Sequence, residues 1–407
     1  MILKKKLPYT ILLISIYSVL PWCSLPIGNT FVWWLLQSFI LFLFIKLHPA
    51  NYVILPIKFF FIYTLFSAIY GAIFMTENYW DWKLLIENLI IFLLPMAALT
   101  YAHPTKLTLT LKCWFKYAWI ILIILAPFLS SDAFGRFLTP YTFLLLSLPL
   151  TRRNKRYLLF TLVAFFTTLT LGSTSRSDMT KFSICFLLGG TLLLYPRIWS
   201  QKKVLLRISY VIIMTPIILF ILGVSNIFNI FKIEEELGIE NKFQMKNSTG
   251  DEYSALTDTR TFLYAEEIQS AIKNKYIIIG RSIARGYDST SFGEMINSAL
   301  HLKRNERSSC ETSILNIFNY FGLIGVCIYM FIFWKASYLA ITKSKNIFIP
   351  VIGIYVAFRW LFAWIEDFSR FDLNYLFLWI FIGLCYSPVF RNMTNREYKN
   401  WFYTIIQ

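Results

Sequence analysis

The sequence predicts an all-α integral membrane protein with about twelve transmembrane helices and one large loop on the non-cytoplasmic side that contains short helices. Three observations predict it. The 407 residues are 57% hydrophobic and only 15% charged, with mean hydropathy +0.57, too little polar material to cover several aqueous surfaces. The apolar runs approach the ~20 residues that cross a ~30 Å hydrocarbon core, and they are continuous rather than alternating, which excludes a barrel. Lysine and arginine concentrate in every second connection, as in chains whose basic loops stay in the cytoplasm.

The runs fall at 7–27, 29–47, 51–75, 83–101, 112–131, 134–150, 157–171, 179–196, 204–230, 312–334, 347–365 and 373–390. Two of them, 134–150 and 157–171, are short enough to be tilted or broken. With a cytoplasmic amino terminus, one side receives Lys4, Lys5 and Lys6, then the basic segments 46–48, 106–116, 152–156, 197–207, 335–345 and 391–399. The other side receives 77–81, 132–136, 172–178, the long loop and 366–372, which are mixed or acidic. Both termini are then cytoplasmic. The chain divides into helices 1–9 over 1–230, the loop over 231–311, and helices 10–12 with a cytoplasmic tail over 312–407.

A net charge of +17 has its explanation in this topology, so nucleic acid is not an expected partner; the bilayer is. The six cysteines form no secreted disulfide framework, and no small-residue cleavage site follows the basic start. The segment 280–286 lacks the Lys-Ser/Thr of a P-loop and the spacing of a dinucleotide fingerprint, so no ATPase activity is expected. The isolated His48, His103 and His301 make no metal site, and no cofactor is implied.

The loop opens with a polar, irregular stretch over 232–254. Asp258 or Thr259 is placed to cap a helix with Phe262, Ala265, Ile268 and Ile272 on one side, ending near Lys275. An apolar run, 276–279, leads into Gly280-Arg281-Ser282-Ile283-Ala284-Arg285-Gly286 and a Ser/Gly-rich turn. Outer arginines call for a reason: Arg176 in a hydroxyl-rich turn, and Arg260, Arg281, Arg285, Arg304 and Arg307 on the loop. Guanidinium binds phosphate oxygens in a bidentate, charge-assisted way. Pairing with Glu266, Glu267, Asp288 and Glu306 is the plainer explanation of any one of them. Arg359 stands inside the eleventh span with Glu366 seven residues on, as an ion pair or as a substrate contact. Where the loop returns to the membrane, Glu311-Thr312 is followed by nine residues and Gly322-Leu323-Ile324-Gly325. Glu311 there is a candidate general base at a helix lip, and the glycines allow close helix packing.

This layout resembles the O-antigen ligase and polysaccharide polymerase superfamily of bacterial envelopes, membrane glycosyltransferases of the GT-C type. That group has about twelve spans, a large periplasmic loop in the second half, and a Ser-Arg turn in an earlier outer loop, here Ser175-Arg176. Its ligases carry His, then Asn, Ser or Gln, nine residues and Gly-x-x-Gly; Glu311 and Thr312 stand in the first two places here, which favours a polymerase. An Arg opening a loop helix (Arg260) and a Gly-rich turn after an apolar run (Gly280-Arg281) are also similar. The resemblance implies metal-independent transfer of glycan from an undecaprenyl-diphosphate donor to a lipid-linked acceptor repeat, on the outer face of the cytoplasmic membrane. Glu311 would take the acceptor proton, with Arg176, Arg260, Arg281 and, less directly, Arg285 on the diphosphate. A chain-length regulator is an implied protein partner. A ligase acting on lipid A-core or protein, and a lipid-linked oligosaccharide flippase, are the alternatives; the latter should show internal symmetry or interrupted helices with mid-membrane charge.

Overall fold

The computed structural model describes residues 2–25, 30–48, 53–171, 176–225, 227–230, 244–246, 252–254, 260–301 and 303–407. It is an all-α, multi-pass membrane-spanning chain with a helical C-terminal part. Among the described residues seven helical segments are long and apolar enough to cross a bilayer: Thr30–Leu47, Leu55–Met75, Tyr79–Thr100, Pro104–Phe128, Arg176–Leu194, Lys202–Val224 and Ser313–Thr342. Helices also occupy the other predicted positions, in shorter or broken form. Ile2–Val19 begins in the lysine run and Lys155–Leu171 has 17 residues. The 134–150 segment is split into Ser131–Phe137, Tyr141–Leu146 and Leu148–Thr151. Pro140 and Pro149 lack an amide N–H, so a continuous ladder ends at each. The breaks are tolerated because Phe143, Leu144 and Leu145 are buried in protein rather than lipid.

The burial pattern explains the lengths. Phe348–Phe362 and Leu373–Tyr386 are the two short apolar helices, and every residue of the second is buried. They form the centre of the bundle, so neighbouring helices, not lipid, set their ends. Peripheral helices instead turn Phe31, Leu35, Phe59, Phe66, Val211 and Ile218 outward, as a lipid-facing surface requires.

Segments assigned to one side by charge contact one another. At the loop-bearing end the Ser130 amide meets the Trp22 carbonyl at 2.9 Å, Arg136 lies 3.8 Å from Asp372, and Lys181 lies 3.1 Å from Glu366. Among the basic segments, Lys202 Nζ donates to the Thr342 and Ser344 carbonyls at 3.0 Å, and the Lys345 amide to Arg391 at 2.8 Å. The tail is more ordered than a basic stretch suggests. Thr394 and Glu397 form a capping box for Asn395–Ile405, whose Tyr398, Trp401, Phe402 and Ile405 are buried.

The principal difference from expectation concerns the Gly322 motif. Helix Ser313–Thr342 is broken at Gly322 (φ 62°, ψ −165°), a backbone conformation open essentially to glycine alone. Residues 277–280 of the loop insert at the break. The Leu323 and Ile324 amides donate to the Ile277 and Ile278 carbonyls at 2.9 and 3.2 Å, and the Arg281 amide to the Asn319 carbonyl at 2.6 Å. Gly280 (φ 83°) faces the Phe321 amide and Gly322 the Ile278 carbonyl, with no room for a Cβ at either. Gly322 thus admits loop backbone rather than a neighbouring helix.

The loop helix is Thr261–Lys273, with Arg260 as its N-cap residue; Asp258 and Thr259, the expected caps, lie outside the described residues, as do most of 232–254. The side carrying Phe262, Ala265, Ile268 and Ile272 is not the one that packs inward. Leu263, Tyr264, Glu266, Glu267, Ser270 and Ala271 are buried, whereas Phe262 and Ile272 are exposed. The inner side has polar work: Glu266 accepts from the Thr290 and Ser291 amides and from the hydroxyls of Ser289, Thr290 and Ser291. Gly322→Ala and Gly280→Ala are each expected to cost about 2 kcal/mol or more, from left-handed backbone plus collision with main chain. Gly190→Ala, which meets nothing within 4 Å, should gain up to about 1 kcal/mol. Thermal unfolding of the purified protein measures the contrast.

Candidate functional site

The arginines expected on the outer side, Arg176 apart, form two groups. The first closes on Glu306, which pairs across a short antiparallel ladder with Asp288. Its buried carboxylate accepts from Arg281 Nη2 at 2.9 Å, Arg285 Nε at 3.0 Å, Arg304 Nε at 3.0 Å, and Arg285 Nη2. Arg281 continues to Asp288 at 2.9 Å and to the Gly286 carbonyl at 2.8 Å. Arg285 reaches Glu77 at 3.4 Å; Arg304 reaches Glu77 at 3.1 Å and pairs with Asp81. With Lys273 on Asp288 at 2.8 Å, four cations face four carboxylates. This neutral network fastens the loop to the start of helix Tyr79–Leu93. Arg281 and Arg285 are 9% and 8% exposed. The pairing expectation describes them: Asp288 and Glu306 are their partners.

The second group surrounds Glu311. Arg260 Nη1 donates to Glu311 Oε2 at 2.6 Å, and Arg307 Nη2 to Oε1 at 3.1 Å. The Glu311 side chain is 46% exposed, against 24% for Arg260 and 17% for Arg307, so the carboxylate is the open member of the trio. Each arginine is fixed at its other edge. Arg260 Nε donates to the Ile365 carbonyl at 3.2 Å, and Arg307 lies 4.4 Å over the Phe292 ring. Burial opposes the Arg307 charge, yet the neighbouring Tyr287 and Glu311 hold its pKa above the ordinary value. Thr312 is the N-cap residue of helix Ser313–Thr342, without a side-chain capping bond, and the Ser313 amide donates to the Glu366 main-chain carbonyl at 3.1 Å, so the turn 363–370 forms one wall of the site.

Arg176 opens helix Arg176–Leu194 and is exposed; Ser175 lies outside the described residues. The same helix carries Lys181, held between Asp178 at 2.7 Å and Glu366 at 3.1 Å, which ties it to that wall. Glu366 therefore pairs with Lys181, and Arg359 instead donates to Asn374 Oδ1 at 2.9 Å. The structure thus brings Arg260 and Glu311 into contact, places Arg176 at the same end, and separates Arg281 and Arg285 into the Glu306 network. Arg307 was among the outer arginines but not singled out; its signal was the four-residue spacing to Glu311. Lys181 had none beyond its place in an apolar run, and Asp178 none beyond its place at the end of the 172–178 connection.

Beneath this surface Glu267 is fully buried. The Tyr276 hydroxyl donates to its Oε1 at 3.2 Å, and Oε2 has no hydrogen-bond partner among the described residues. Burial pushes its carboxyl from the ordinary 4.5 up to about 8, against the lowering effect of the Tyr276 hydroxyl and Arg281. Among the described residues no group of three or more His, Cys, Asp or Glu is arranged to hold a metal ion. No family model, curated protein or solved structure matches the chain.

Two outcomes follow from the buried charges. Glu306→Gln should destabilise the folded chain by about 3–5 kcal/mol, because three guanidiniums lose their common counter-charge, and should speed proteolysis within 260–310. From about pH 4.5 to 8 the folded chain keeps a proton on Glu267 that the unfolded chain has released, so stability falls as pH rises through that window. Glu267→Gln keeps an acceptor for Tyr276 and has no such proton. Thermal midpoints measured across pH should show a shallower decline for it, and a higher midpoint than wild type above about pH 8.

Proposed function

We propose that the chain is a polysaccharide polymerase of the bacterial cytoplasmic membrane, extending undecaprenyl-diphosphate-linked glycan on the outer face. The observation that carries the reading is the half-exposed Glu311 carboxylate held between Arg260 and Arg307 where the loop meets the membrane helices. An arginine–carboxylate trio is an exchangeable arrangement. An arriving diphosphate competes for the guanidiniums with charge-assisted bonds of its own, and each bond that it takes frees a Glu311 oxygen. The freed carboxylate then accepts the proton of the acceptor hydroxyl as that oxygen bonds to the anomeric carbon of the donor. The bond from that carbon to the phosphate oxygen breaks, and undecaprenyl diphosphate leaves with its developing charge on Arg260, Arg307 and Arg176.

In this reading Arg281 and Arg285 are framework rather than diphosphate ligands, a change from the sequence expectation that rests on their burial against Glu306. The reading keeps twelve spans, the loop outside, and both termini in the cytoplasm. Support for the two-sided arrangement comes from the contacts within each set of connections, acidic with acidic and basic with basic.

The test is complementation of a deletion strain. Glu311→Gln, present in the membrane at wild-type level, should lower elongation by about 10²–10⁴-fold, leaving single repeat units on the surface carrier. Arg307→Ala should reduce it comparably. Unchanged polysaccharide length with Glu311→Gln would sink the assignment. Accumulated long lipid-linked chains in the deletion strain would point to a ligase, and repeat units retained inside to a flippase.

A further inference from the structure

Between the inserted wedge and the basic end of the bundle, helices Leu55–Tyr70 and Ser313–Thr342 leave a groove of about 600 Å³. That lies within the ~300–1,000 Å³ of ligand pockets. Its walls are Pro56, Phe59, Ile62 and Phe66 on the first helix and Cys327 and Phe331 on the second. Phe59, Ile62, Phe66 and Phe331 are 41–52% exposed, so the groove opens sideways, toward hydrocarbon. Tyr63 also lines it, but the Tyr63 hydroxyl donates to the Ile279 carbonyl of the wedge at 3.0 Å. No free hydroxyl remains among the lining residues, so a polar occupant would lose its water without gaining a partner.

The end of the groove away from the wedge carries charge. Lys335 stands four residues after Phe331 on the same helix face, and its Nζ lies 5.4 Å from the Phe331 ring centre. The ammonium thus leans over the groove wall. Lys58 directly precedes Phe59, stands one turn before Ile62, and is exposed. Among the described residues no carboxylate lies within ion-pair distance of either lysine. Both belong to the basic end: Leu55–Tyr70 begins after the 46–48 connection, and Ser313–Thr342 ends at Thr342, whose carbonyl accepts from Lys202 at 3.0 Å. Glu311 lies just before the opposite end of the long helix.

A hydrocarbon slot with ammonium groups at headgroup depth matches an amphiphile with an apolar chain and an anionic head. A zwitterionic head brings a cation of its own toward the lysines. A lipid diphosphate held beside Glu311 would enter from the other leaflet. We infer that the groove holds an anionic phospholipid of the leaflet at the basic end, with one acyl chain between Phe59 and Phe331 and the phosphate against Lys335 and Lys58. The inference is independent of the reaction proposed above.

The test titrates the full chain in detergent micelles with dioleoylphosphatidylglycerol or dioleoylphosphatidylcholine. Bound lipid is counted by native mass spectrometry, and the thermal midpoint is read in parallel. Wild type should take up phosphatidylglycerol saturably, about tenfold or more tighter than phosphatidylcholine. Lys58→Gln and Lys335→Gln together should bring the two lipids to equal affinity. Lys203→Gln, at a basic-end lysine that does not line the groove, should leave the preference intact. Cys327→Trp fills the groove from an exposed position, so the chain should fold and lose both the bound lipid and the rise in midpoint. Equal affinity for both lipids in wild type, an equal loss of preference in Lys203→Gln, or lipid that persists in Cys327→Trp overturns the inference. So does a dimer of the wild-type chain that Cys327→Trp abolishes, which would give the groove to a second copy.

Discussion

The arrangement depends on one requirement: backbone amides and carbonyls cannot be left unpaired inside the bundle. Helix Ser313–Thr342 breaks at Gly322, and a break strands amides that would otherwise bond four residues back. Loop residues 277 and 278 supply the missing carbonyls, and Asn319 returns one to the Arg281 amide. The neighbouring helix Leu55–Tyr70 joins the same exchange: Tyr63 donates to the Ile279 carbonyl at 3.0 Å, and the Ser67 hydroxyl takes the Ile283 amide at 3.1 Å. What sequence order makes a loop is, in packing terms, part of the membrane core.

That anchoring decides where the charges lie. Residues 281–287 are buried, so their arginines must find counter-charges within the protein, and the Glu306 network answers that need with acids from the loop and from the 77–81 connection. Past the network, where the chain leaves the Tyr287–Arg307 ladder and turns into the long helix, the Glu311 carboxylate is half exposed. Glu311 is open because the elements on both sides of it are held. Of the six arginines expected outside, the three on Glu306 give rigidity, while Arg260 and Arg307 lie at an accessible edge.

How much of this was legible in the sequence varies with the length scale of the signal. Apolar runs and the basic or acidic character of connections are read over many residues, and helices stand where they were expected. The Arg260–Glu311 contact, 51 residues apart, was approached only through separate suspicions about each residue. The inward face of Thr261–Lys273 was not legible, because periodicity assumes that polar residues seek water. Here Glu266 instead organises the 289–291 turn from within. Gly322 was noticed for the wrong reason: a glycine spacing in an apolar run signals close approach but does not say of what. The Asn395–Ile405 helix had a legible Thr394-x-x-Glu397 cap that the basic charge of the tail obscured.

The inserted wedge also bears on how the molecule is built. A helix that holds left-handed backbone at Gly322 and borrows carbonyls from residues 277 and 278 cannot be completed as an independent span during membrane insertion. Chain order bears on the problem, since 277–280 is synthesised before Gly322 follows. The outer turns of the long helix therefore close last, on a loop already seated against Leu55–Tyr70. Assembly of the bundle and formation of the Glu311 site are, on this account, one event rather than two.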